Sequence, residues 1–443
     1  MIESAPVEHS CVSIIETIAK KRDRGELCAE EIAAAVSGFT HGQVSEAQMA
    51  ALLMAIVLNG MSARESADLT MAMVNTGERL DLSAIPGTKV DKHSTGGVGD
   101  KTTLVVAPLV AALGVPVAKM SGRALGHTGG TIDKLEVIRG LRTRLSPKQF
   151  VRQVSKIGIA IAAQSAKMAP ADRKIYALRD ATATVESIPL IASSVMSKKL
   201  AAGADAIVLD VKAGSGAFMS DVARASELAR LMVDIGAHHG KRMVAVVTRM
   251  EQPLGRAVGD AVELAEAVAT LYGSGPEDIV ELCETLAGHM LVLGGAAIGL
   301  DQGRMRARQG ILSGIGLAKL REMVVAQGGD PAPLDNPDLL TRGVERLPVV
   351  LDHPGLIVGI DARQIGIAVR DLKAAAGESK RSCGVMLSKK VGETAERDAV
   401  ATLLYPMGTR DAALAAAARV RAAFRTGQTA AEGGPLVAAT FSS

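Results

Sequence analysis

The sequence predicts an α/β protein with a small all-helical domain, a larger α/β domain with a mostly parallel central sheet, and a C-terminal α+β part. The first 75 residues carry only helical patterns, and after Pro86 apolar β-type runs alternate with helical stretches. The last hundred residues change from a short β-type pattern to an Ala-rich helix, Asp411 to Phe424. Strands that alternate with helices are typical of a parallel sheet covered on both faces. A chain of 443 residues is too long for one ordinary core, so two or three domains are expected.

Two capping boxes indicate where N-terminal helices begin. Ser45 is followed by Gln48 and Ser62 by Glu65, so each capping Ser lies three residues before a side chain that can accept from its backbone N–H. The segment Met49 to Leu58 is apolar nearly all round, which predicts a buried helix. This region carries no chemistry on its helix faces, so its expected roles are packing and self-association.

The α/β region contains four predicted strands and four predicted helices. The strands are Val115–Met120, Ile157–Ala163, Ala206–Val211 and Met243–Val247, and the helices are Thr102–Leu113, Pro147–Lys156, Asp221–Ile235 and Asp260–Leu271. Ligands bind beyond the carboxyl ends of the strands in such sheets, so the loops there are the candidate binding loops. Residues Ala169 to Leu200 interrupt the alternation with a helical pattern, which could fold back onto the N-terminal helices.

These patterns predict the domain boundaries. We expect a helical domain over residues 1–76, an α/β domain over 86–168 and 201–327, and an α+β domain over 346–425. Residues 328–346 are rich in Pro, Gly and Asp, which predicts a linker. The final residues, 426–443, are predicted to form a loose tail.

Composition excludes several classes of partner. The net charge of +3, from 50 basic and 47 acidic residues, gives no general attraction to nucleic acid or to a membrane surface. Tryptophan is absent, and three Tyr and five Phe offer few stacking platforms for single-stranded nucleic acid. The longest apolar stretch, Leu104 to Ala118, is too short and too interrupted by Pro and Gly to span a bilayer.

The cysteines and the N-terminus predict a cytoplasmic protein. Cys11, Cys28, Cys283 and Cys383 show no CxxC spacing, so they are predicted to be reduced, partly buried thiols. The N-terminal residues lack the basic start and apolar run of a signal peptide.

The first stretch that suggests chemistry is Val90 to Thr103, VDKHSTGGVGDKTT. Glycines allow backbone N–H groups to approach an anion, and the predicted helix that follows adds the dipole of its N-terminus. This pattern favours a phosphate cradle, although GDKT departs from a Walker A motif. An ordinary Gly-rich turn is the alternative, and the adjoining Lys92, His93 and Ser94 favour the functional interpretation.

The second stretch, Lys119 to Glu136, follows a predicted strand and again ends at a helix start. Two such loops suggest one anion held from both sides. His127, flanked by Gly, is more often structural than catalytic. The segment from Asp133 to Glu136, with Lys134, is interpreted as a solvated helix turn.

The third stretch runs from Tyr176 to Asp180 and continues through Ser194 to Lys198. Ser194 and Lys198 are four residues apart and share a helix face. Cations with a hydroxyl suit the carbonyl and imide edge of a uracil-type base. The stretch alone, however, favours a surface ion pair such as Arg179 with Asp180.

Four blocks resemble the thymidine and pyrimidine-nucleoside phosphorylases. SGRALGHTGGTIDKLE closely resembles the signature of that family, and DKHSTGGVGD and YALRDATATVESIPLIASSVMSKK resemble two further blocks in the family's order and spacing. DAIVLDVKAGSGAFM (Asp205–Met219) is similar to a fourth. The resemblance covers residues 12 to 330 and is closest to the bacterial broad-specificity members.

The chain departs from the family pattern in places. Ala124 stands where the family usually has Gly, and its methyl group could crowd the loop or be harmless if φ is negative. Arg249 stands where an acidic residue is more usual, and the family's Gly-rich and Lys-Gly-x-Pro-Leu segments are altered or missing around Asp371–Ser379 and after Lys390. The C-terminal part therefore departs most from the family pattern.

The resemblance implies reversible phosphorolysis of thymidine, uridine and deoxyuridine to free base and (deoxy)ribose 1-phosphate, in pyrimidine salvage or catabolism. It implies inorganic phosphate as co-substrate and no organic cofactor. Phosphate would bind to Lys92, Ser94, Thr103, Ser121 and Thr131, and the base to Tyr176, Arg179, Ser194 and Lys198. His93 would polarise or protonate the base near its 2-carbonyl, so His93, Arg179 and Lys198 are the implied catalytic residues. Leu125, Val185, Ile191 and Phe218 would wall the pocket.

Two further implications concern specificity and cations. Broad-specificity members resemble this chain at Lys119, although a lysine at a strand end for solubility is the alternative. The resemblance to these members also implies a bound monovalent cation, potassium, which by position would use backbone oxygens of Gly99, Lys101, Leu254 and Ala257 with the Glu266 carboxylate. From the sequence alone, Glu266 is a helix-surface carboxylate.

The implied architecture places phosphate residues on the α/β domain and base residues on the helical domain, which 169–200 completes. The two would be separated by a cleft that closes for catalysis. A homodimer through the helical domain is also implied. The alternatives are a phosphorylase of nucleoside monophosphates of the related archaeal type, which would need a further basic loop, and a catalytically inactive ligand-binding relative. The presence of His93, Arg179 and Lys198 argues against the inactive relative.

Overall fold

A computed structural model gives the architecture of residues 12–124, 126–429 and 434–443. Leu125, predicted as a pocket wall, and Cys11 lie outside these described residues. The helices are α1 (Ile14–Arg22), α2 (Ala29–His41), α3 (Glu46–Asn59), α4 (Ala63–Val74), α5 (Thr102–Ala112), α6 (Thr131–Leu135), α7 (Pro147–Ile157), α8 (Pro170–Ala181), α9 (Ile188–Ala201), α10 (Val222–His238), α11 (Asp260–Leu271), α12 (Glu277–Leu293), α13 (Leu300–Leu312), α14 (Ile315–Ala326), α15 (Ala332–Asp335), α16 (Ala362–Ala375) and α17 (Arg410–Ala423).

The strands alternate with these helices from residue 90 onward. They are β1 (Val90–Ser94), β2 (Val117–Ser121), β3 (Ile159–Ala163), β4 (Ala206–Ala213), β5 (Arg242–Arg249), β6 (Ala257–Val258), β7 (Val344–Val350), β8 (Gly355–Ile360), β9 (Gly384–Leu387), β10 (Thr394–Ala395), β11 (Ala399–Pro406), β12 (Phe424–Gly427) and β13 (Val437–Ser442). Among the described residues, no helix is both long enough and apolar enough to cross a membrane.

The helical unit comprises the described residues up to Leu80, with Ala166–Gly203 and Asp234–Gly240. Its core joins side chains of α2, α3 and α4 to side chains of α8 and α9, including Val36, Leu53, Leu69, Ile175 and Leu190. The segment predicted as a helical insertion thus packs in the same core as the N-terminal helices. Ser193 on α9 also donates a hydrogen bond to the carbonyl of Ser66 on α4 at 3.1 Å.

Both predicted capping boxes are confirmed. The Ser45 hydroxyl accepts from the Gln48 N–H and the Ser62 hydroxyl from the Glu65 N–H, and both reciprocal bonds are made. Glu65 has a second role, because its buried carboxylate receives the Lys21 ammonium at 2.8 Å.

The prediction that α3 is buried all round is wrong on one face. Met49, Leu52, Leu53 and Ile56 are buried, but Leu58 is 74% exposed, and the side chains of Met54 and Val57 are also exposed. Helix α1 adds Ile15, which is 60% exposed. The helical unit therefore presents apolar side chains to solvent.

The α/β unit comprises Asp81–Ser165, Ala204–Val233 and Lys241–Ser443. Its main sheet has the order β1-β4-β5-β13, in which β1, β4 and β5 are parallel and β13 is antiparallel. Strands β2 and β3 form a separate parallel pair. The four predicted strands and four predicted helices of this region are confirmed, with ends that coincide or differ by at most three residues.

Strand β1 was not predicted, because its sequence, VDKHS, does not look like a buried strand. Asp91 and Lys92 are nevertheless almost fully buried. Their charges are paired with residues distant in sequence, with Asp91 Oδ1 3.6 Å from the Lys119 ammonium and Lys92 Nζ 3.2 Å from Asp210 Oδ2. Buried charges become tolerable when they are paired in this way.

The C-terminal part of this unit builds two small sheets, β6-β9-β11-β7 and β10-β8-β12. Helices α16 and α17 pack on them in a core that includes Val349, Ile365, Leu403 and Val420. Helix α17 matches the predicted Ala-rich helix.

Two predictions about irregular segments are corrected. The predicted linker contains α15 and a 3₁₀ turn, Pro337–Thr341, and it buries Leu334 and Leu340 in the main core. The predicted loose tail contains the last residues of β12 and all of β13, which pairs with β5 along the main sheet. The unpaired edge of β5 offers backbone hydrogen-bonding groups that a terminal strand can satisfy.

Candidate active site

The first predicted phosphate loop begins where β1 ends and finishes at the start of α5. Lys92, on β1, is 1% exposed, and its ammonium donates to the Thr102 hydroxyl at 2.6 Å. Burial alone would lower the pKa of Lys92, but the carboxylates of Asp100 and Asp210 outweigh it and raise that pKa above its ordinary value. Lys92 is therefore a permanent cation in the loop.

Asp100 organises the same loop from within. Its carboxylate accepts hydrogen bonds from the Ser94 hydroxyl and from both the N–H (3.1 Å) and the hydroxyl (2.6 Å) of Thr102. Burial would raise the pKa of Asp100, but the Lys92, Lys212 and Lys134 ammonium groups, together with the Ser94 hydrogen bond, hold it well below its usual range. The loop therefore contains a buried carboxylate among several cations.

Strand β4 contributes two charged residues that the sequence analysis did not single out. Asp210 and Lys212 are both fully buried, and the Lys212 ammonium lies 2.8 Å from Asp210 Oδ2. Asp210 also accepts from the Thr248 hydroxyl at 2.7 Å. Two charged residues inside the apolar run AIVLDVKA are the sequence signal that would have found them.

Strands β1 and β2 are neighbours, although they belong to different sheets. The Val90 N–H donates to the Pro116 carbonyl at 3.1 Å, and Asp91 lies near Lys119, so the two strands start side by side and run in the same direction. Ser94 and Ser121 are their last residues. Thr103, on the first turn of α5, is buried, and Thr131 opens α6 after β2. The two hydroxyl-bearing loops thus leave neighbouring strands, as ligand-binding loops of parallel sheets do.

The predicted solvated turn at the start of α6 is wrong for Lys134. This residue is 1% exposed, and its ammonium lies 2.7 Å from Glu263 Oε2 and 2.5 Å from the Asp100 carbonyl. Lys134 therefore connects the second loop to the first. The buried Glu263, on α11, was not identified from the sequence.

Asp133 and Glu136 accept contacts from the beginning of the second loop and so hold its two ends together. Arg123 pairs with Asp133 at 2.9 Å and with Glu136 at 2.7 Å, and the Ala124 N–H donates to Asp133 at 2.6 Å. The φ of Ala124 is not positive, so a methyl group is tolerated at this position of the loop, where the family usually has Gly.

Lys119 is buried, and its ammonium donates to the Met120 carbonyl, so it is not a lysine placed for solubility.

In the helical unit, Ser194 and Lys198 meet as the helical spacing predicts. The Lys198 ammonium donates to the Ser194 hydroxyl at 3.0 Å and pairs with the Asp172 carboxylate. Asp172, on α8, was not identified from the sequence. The Lys198 side chain keeps 27% exposure, while its ammonium is held in place by these two contacts.

Arg179 is buried rather than paired with Asp180 at the surface. Its guanidinium donates to the carbonyls of Thr184 (3.2 Å), Val185 (2.6 Å) and Leu190 (3.0 Å), which holds the connection between α8 and α9. Burial lowers the pKa of Arg179 to about 10, against the opposing charge of Asp172. These bonds use three of the five N–H donors of a guanidinium.

The remaining predicted residues divide between the two units. Tyr176 lies in the helical unit with the Arg179 guanidinium 5.8 Å from its ring centroid, and Val185 and Ile191 are half-buried there. His93 lies on β1 of the α/β unit, beside Lys92. Phe218 is in the α/β unit, 42% exposed, with its ring 5.6 Å from that of His127.

The residues predicted to bind potassium come together around an ammonium group. Lys101 Nζ donates to the carbonyls of Leu254 (3.1 Å) and Ala257 (2.8 Å) and pairs with the Glu266 carboxylate. Gly99 lies against the same carbonyls. The side chain of Lys101 thus occupies the oxygen cluster itself, and these residues do not fit an additional potassium ion.

Comparison with known proteins places the chain among nucleoside-processing transferases. The family model described as "Glycosyl transferase family, a/b domain" matches residues 86–317, and that described as "Glycosyl transferase family, helical bundle domain" matches residues 15–77. Pyrimidine-nucleoside phosphorylase of Bacillus subtilis (strain 168) is 51% identical over 88% of this chain and 92% of its own. The enzyme of that name from Geobacillus stearothermophilus is 48% identical over the same shares.

A solved structure shares the fold. Anthranilate phosphoribosyltransferase from Thermus thermophilus superposes with a TM-score of 0.58, covering 70% of this chain and 99% of that one. Its sequence identity is 22%, so the likeness concerns the arrangement of helices and strands alone.

Proposed function

This chain belongs to the pyrimidine-nucleoside phosphorylase family, and we propose that it splits thymidine, uridine and deoxyuridine with inorganic phosphate. The products are the free base and ribose or deoxyribose 1-phosphate. The observation that carries the proposal is the pair of hydroxyl-bearing loops at the ends of β1 and β2, beside the buried cation Lys92. Such an arrangement suits a phosphate nucleophile.

Phosphate binds to Lys92, Ser94, Thr103, Ser121 and Thr131 in this proposal. The buried charge of Lys92 attracts the anion, and the hydroxyls orient it toward the anomeric carbon of the sugar. Asp100 accepts hydrogen bonds from the Ser94 and Thr102 hydroxyls, so it fixes the loop that carries Ser94 and Thr103 before phosphate arrives. Attack with loss of the base inverts the anomeric configuration.

The base is held by Arg179, Ser194 and Lys198, with Tyr176 beside them. Negative charge develops on the departing pyrimidine, and the Lys198 ammonium, positioned by Ser194 and Asp172, stabilises it. His93 donates to the base near its 2-carbonyl. We do not extend the proposal to potassium, because Lys101 occupies the expected cluster.

The test is release of free base from thymidine, uridine and deoxyuridine, each with and without phosphate. Phosphate-dependent release from all three is the expected result, and release from thymidine alone would restrict the substrate range. A folded protein that releases base from none of them would contradict the proposal. Thymidine monophosphate is assayed in parallel, since cleavage of it alone would identify a nucleotide phosphorylase.

A homodimer through the helical unit is part of the proposal. It is supported by the exposed apolar side chains of Ile15, Met54, Val57 and Leu58 on α1 and α3. The cytoplasmic location remains a prediction.

A further inference from the structure

Lys101 carries a buried ammonium group whose neighbours are all oxygens. Its side chain is 0% exposed, and Nζ contacts the Leu254 carbonyl, the Ala257 carbonyl and the Glu266 carboxylate. An ammonium has three N–H donors and no acceptor, so three oxygens satisfy it completely. Each of the three N–H donors therefore has one oxygen acceptor, and the negative charge of Glu266 balances the positive charge of Lys101.

The oxygens are held by other parts of the protein. The N–H groups of Arg256 (2.9 Å) and Ala257 (3.1 Å) donate to the Glu266 carboxylate, which fixes the loop that carries the two carbonyls. On the far side of this loop, the Lys390 ammonium donates to the Gly255 carbonyl at 2.8 Å. The cluster is thus a built cage.

Two glycines allow the cage to close. Gly99 has a φ of +78°, and a Cβ there would lie 2.5 Å from the Leu254 carbonyl oxygen. Gly255 has a φ of +68°, and a Cβ there would lie 2.3 Å from Glu266 Oε2. Both positions require the absence of a side chain, which lets the backbone approach the cage oxygens closely.

A cage of this composition needs a cation. A largely buried carboxylate without a partner is unfavourable, and carbonyl and carboxylate oxygens are the ligands of hard cations. Lys101 also directly precedes Thr102 and Thr103 at the start of α5, so whatever cation fills the cage positions the phosphate loop.

We propose that the Lys101 ammonium is a built-in monovalent cation, which makes this phosphorylase independent of potassium. The side chain supplies the charge that a bound ion would otherwise supply, and it couples the loop at residues 253–257 to the phosphate loop. Lys101 is a positioning residue, and its replacement by an uncharged side chain opens the cage to potassium or ammonium ions. The activity readout rests on the proposed function, whereas the stability readout does not.

The first experiment uses the unaltered protein. The melting temperature, and the kcat and KM for phosphate, are measured in potassium chloride, sodium chloride and choline chloride at equal ionic strength, since choline is too large for the cage. We expect the same values in all three salts. A saturable rise in melting temperature or activity with potassium alone would overturn the proposal.

The second experiment uses Lys101→Met, which keeps the apolar stem and removes the charge. In choline chloride the melting temperature falls, and potassium raises it again by about 2 to 4 °C when present at roughly ten times its Kd. Potassium also restores the KM for phosphate, which a purely structural role would not predict. Equal destabilisation in all salts would contradict the cage as a cation site.

Lys21→Met is the matched control. Lys21 is a buried lysine of the helical unit whose ammonium donates to both oxygens of the Glu65 carboxylate, at 2.8 and 3.0 Å. Its replacement removes a buried ion pair but leaves no cluster of carbonyl oxygens behind. We therefore expect the melting temperature of Lys21→Met to fall and potassium not to raise it again. If Lys101→Met fails to fold, the salt series on the unaltered protein still decides the question. Absence of phosphorolysis in every salt would defeat the proposed function and leave the melting temperatures to test the cage.

Discussion

At the scale of single residues, the two proposed binding sets differ in how their charges are held. Lys92 is fully buried among carboxylates, whereas Lys198 remains partly exposed beside Ser194 and Asp172. A buried cation with fixed partners suits the permanent attraction of an anion. A partly exposed cation can contact a ligand directly, once the ligand displaces the remaining water from it.

Lys198→Met is predicted to lower kcat by about a hundred- to a thousandfold, because the charge that stabilises the leaving base is lost. Initial rates of base release at saturating phosphate measure this effect. Lys174→Met is the control: Lys174 lies on the adjacent helix α8, where its ammonium donates to the Thr40 carbonyl at an exposed position. Equal losses in the two variants would contradict the role of Lys198.

The lowered pKa of Asp100 predicts how the stability of the folded protein changes with pH. Its folded-state pKa lies well below the ordinary value, so the stability it contributes is present above about pH 4 and is lost as the pH falls through the folded pKa. Asp100→Asn should therefore lower the melting temperature by a constant amount between pH 7 and pH 5. The difference should shrink below about pH 4. Thermal unfolding of both proteins across this range measures it, and a difference that grows in acid would contradict the assignment.

At the scale of elements, the two loops after β1 and β2 depend on close backbone packing. A Cβ at Gly130 would lie 2.3 Å from both the Ala124 nitrogen and the Arg123 carbonyl carbon, so the second loop closes on itself there. Arg123, Asp133 and Glu136 reinforce the closure with ion pairs. The hydroxyl of Thr131, the next residue, is placed by this packing.

Gly130→Ala is predicted to lower the melting temperature and to raise the KM for phosphate, because the methyl group must displace the Arg123–Ala124 backbone. Gly122→Ala is a matched control in the same loop, since a Cβ at Gly122 meets nothing within 4 Å and its φ is not positive. Its melting temperature should stay within about 1 °C of that of the unaltered protein, as surface changes of roughly 0.5 kcal/mol allow. Equal destabilisation of both variants would refute the packing argument.

At the scale of the whole molecule, the exposed apolar side chains of α1 and α3 predict the assembly. Leu58→Glu is expected to convert the proposed dimer into a monomer, because it would place a charge in the proposed interface. Light scattering coupled to size-exclusion chromatography measures the mass. Leu312→Glu, at a similarly exposed position of the α/β unit, should leave the mass unchanged. A dimer that persists in Leu58→Glu would place the interface elsewhere.

The sequence by itself determined the types of most elements, the two capping boxes, the pairing of Ser194 with Lys198 and the reaction class implied by the family blocks. These features depend on patterns within a few residues, where helical spacing, caps and glycine positions act locally. Strand β1 escaped prediction because its charges become compatible with burial only when Asp210 and Lys119 meet them.

Only the tertiary structure decided which charges pair, which face of α3 is exposed, where β13 packs, and what fills the oxygen cage. Lys101 meets Leu254 and Glu266 across more than 150 residues of chain, a proximity that no local pattern encodes. The electrostatic cost of burying a charge is settled by partners distant in sequence, so the same lysine that looks like a loop residue becomes the cation of the cage.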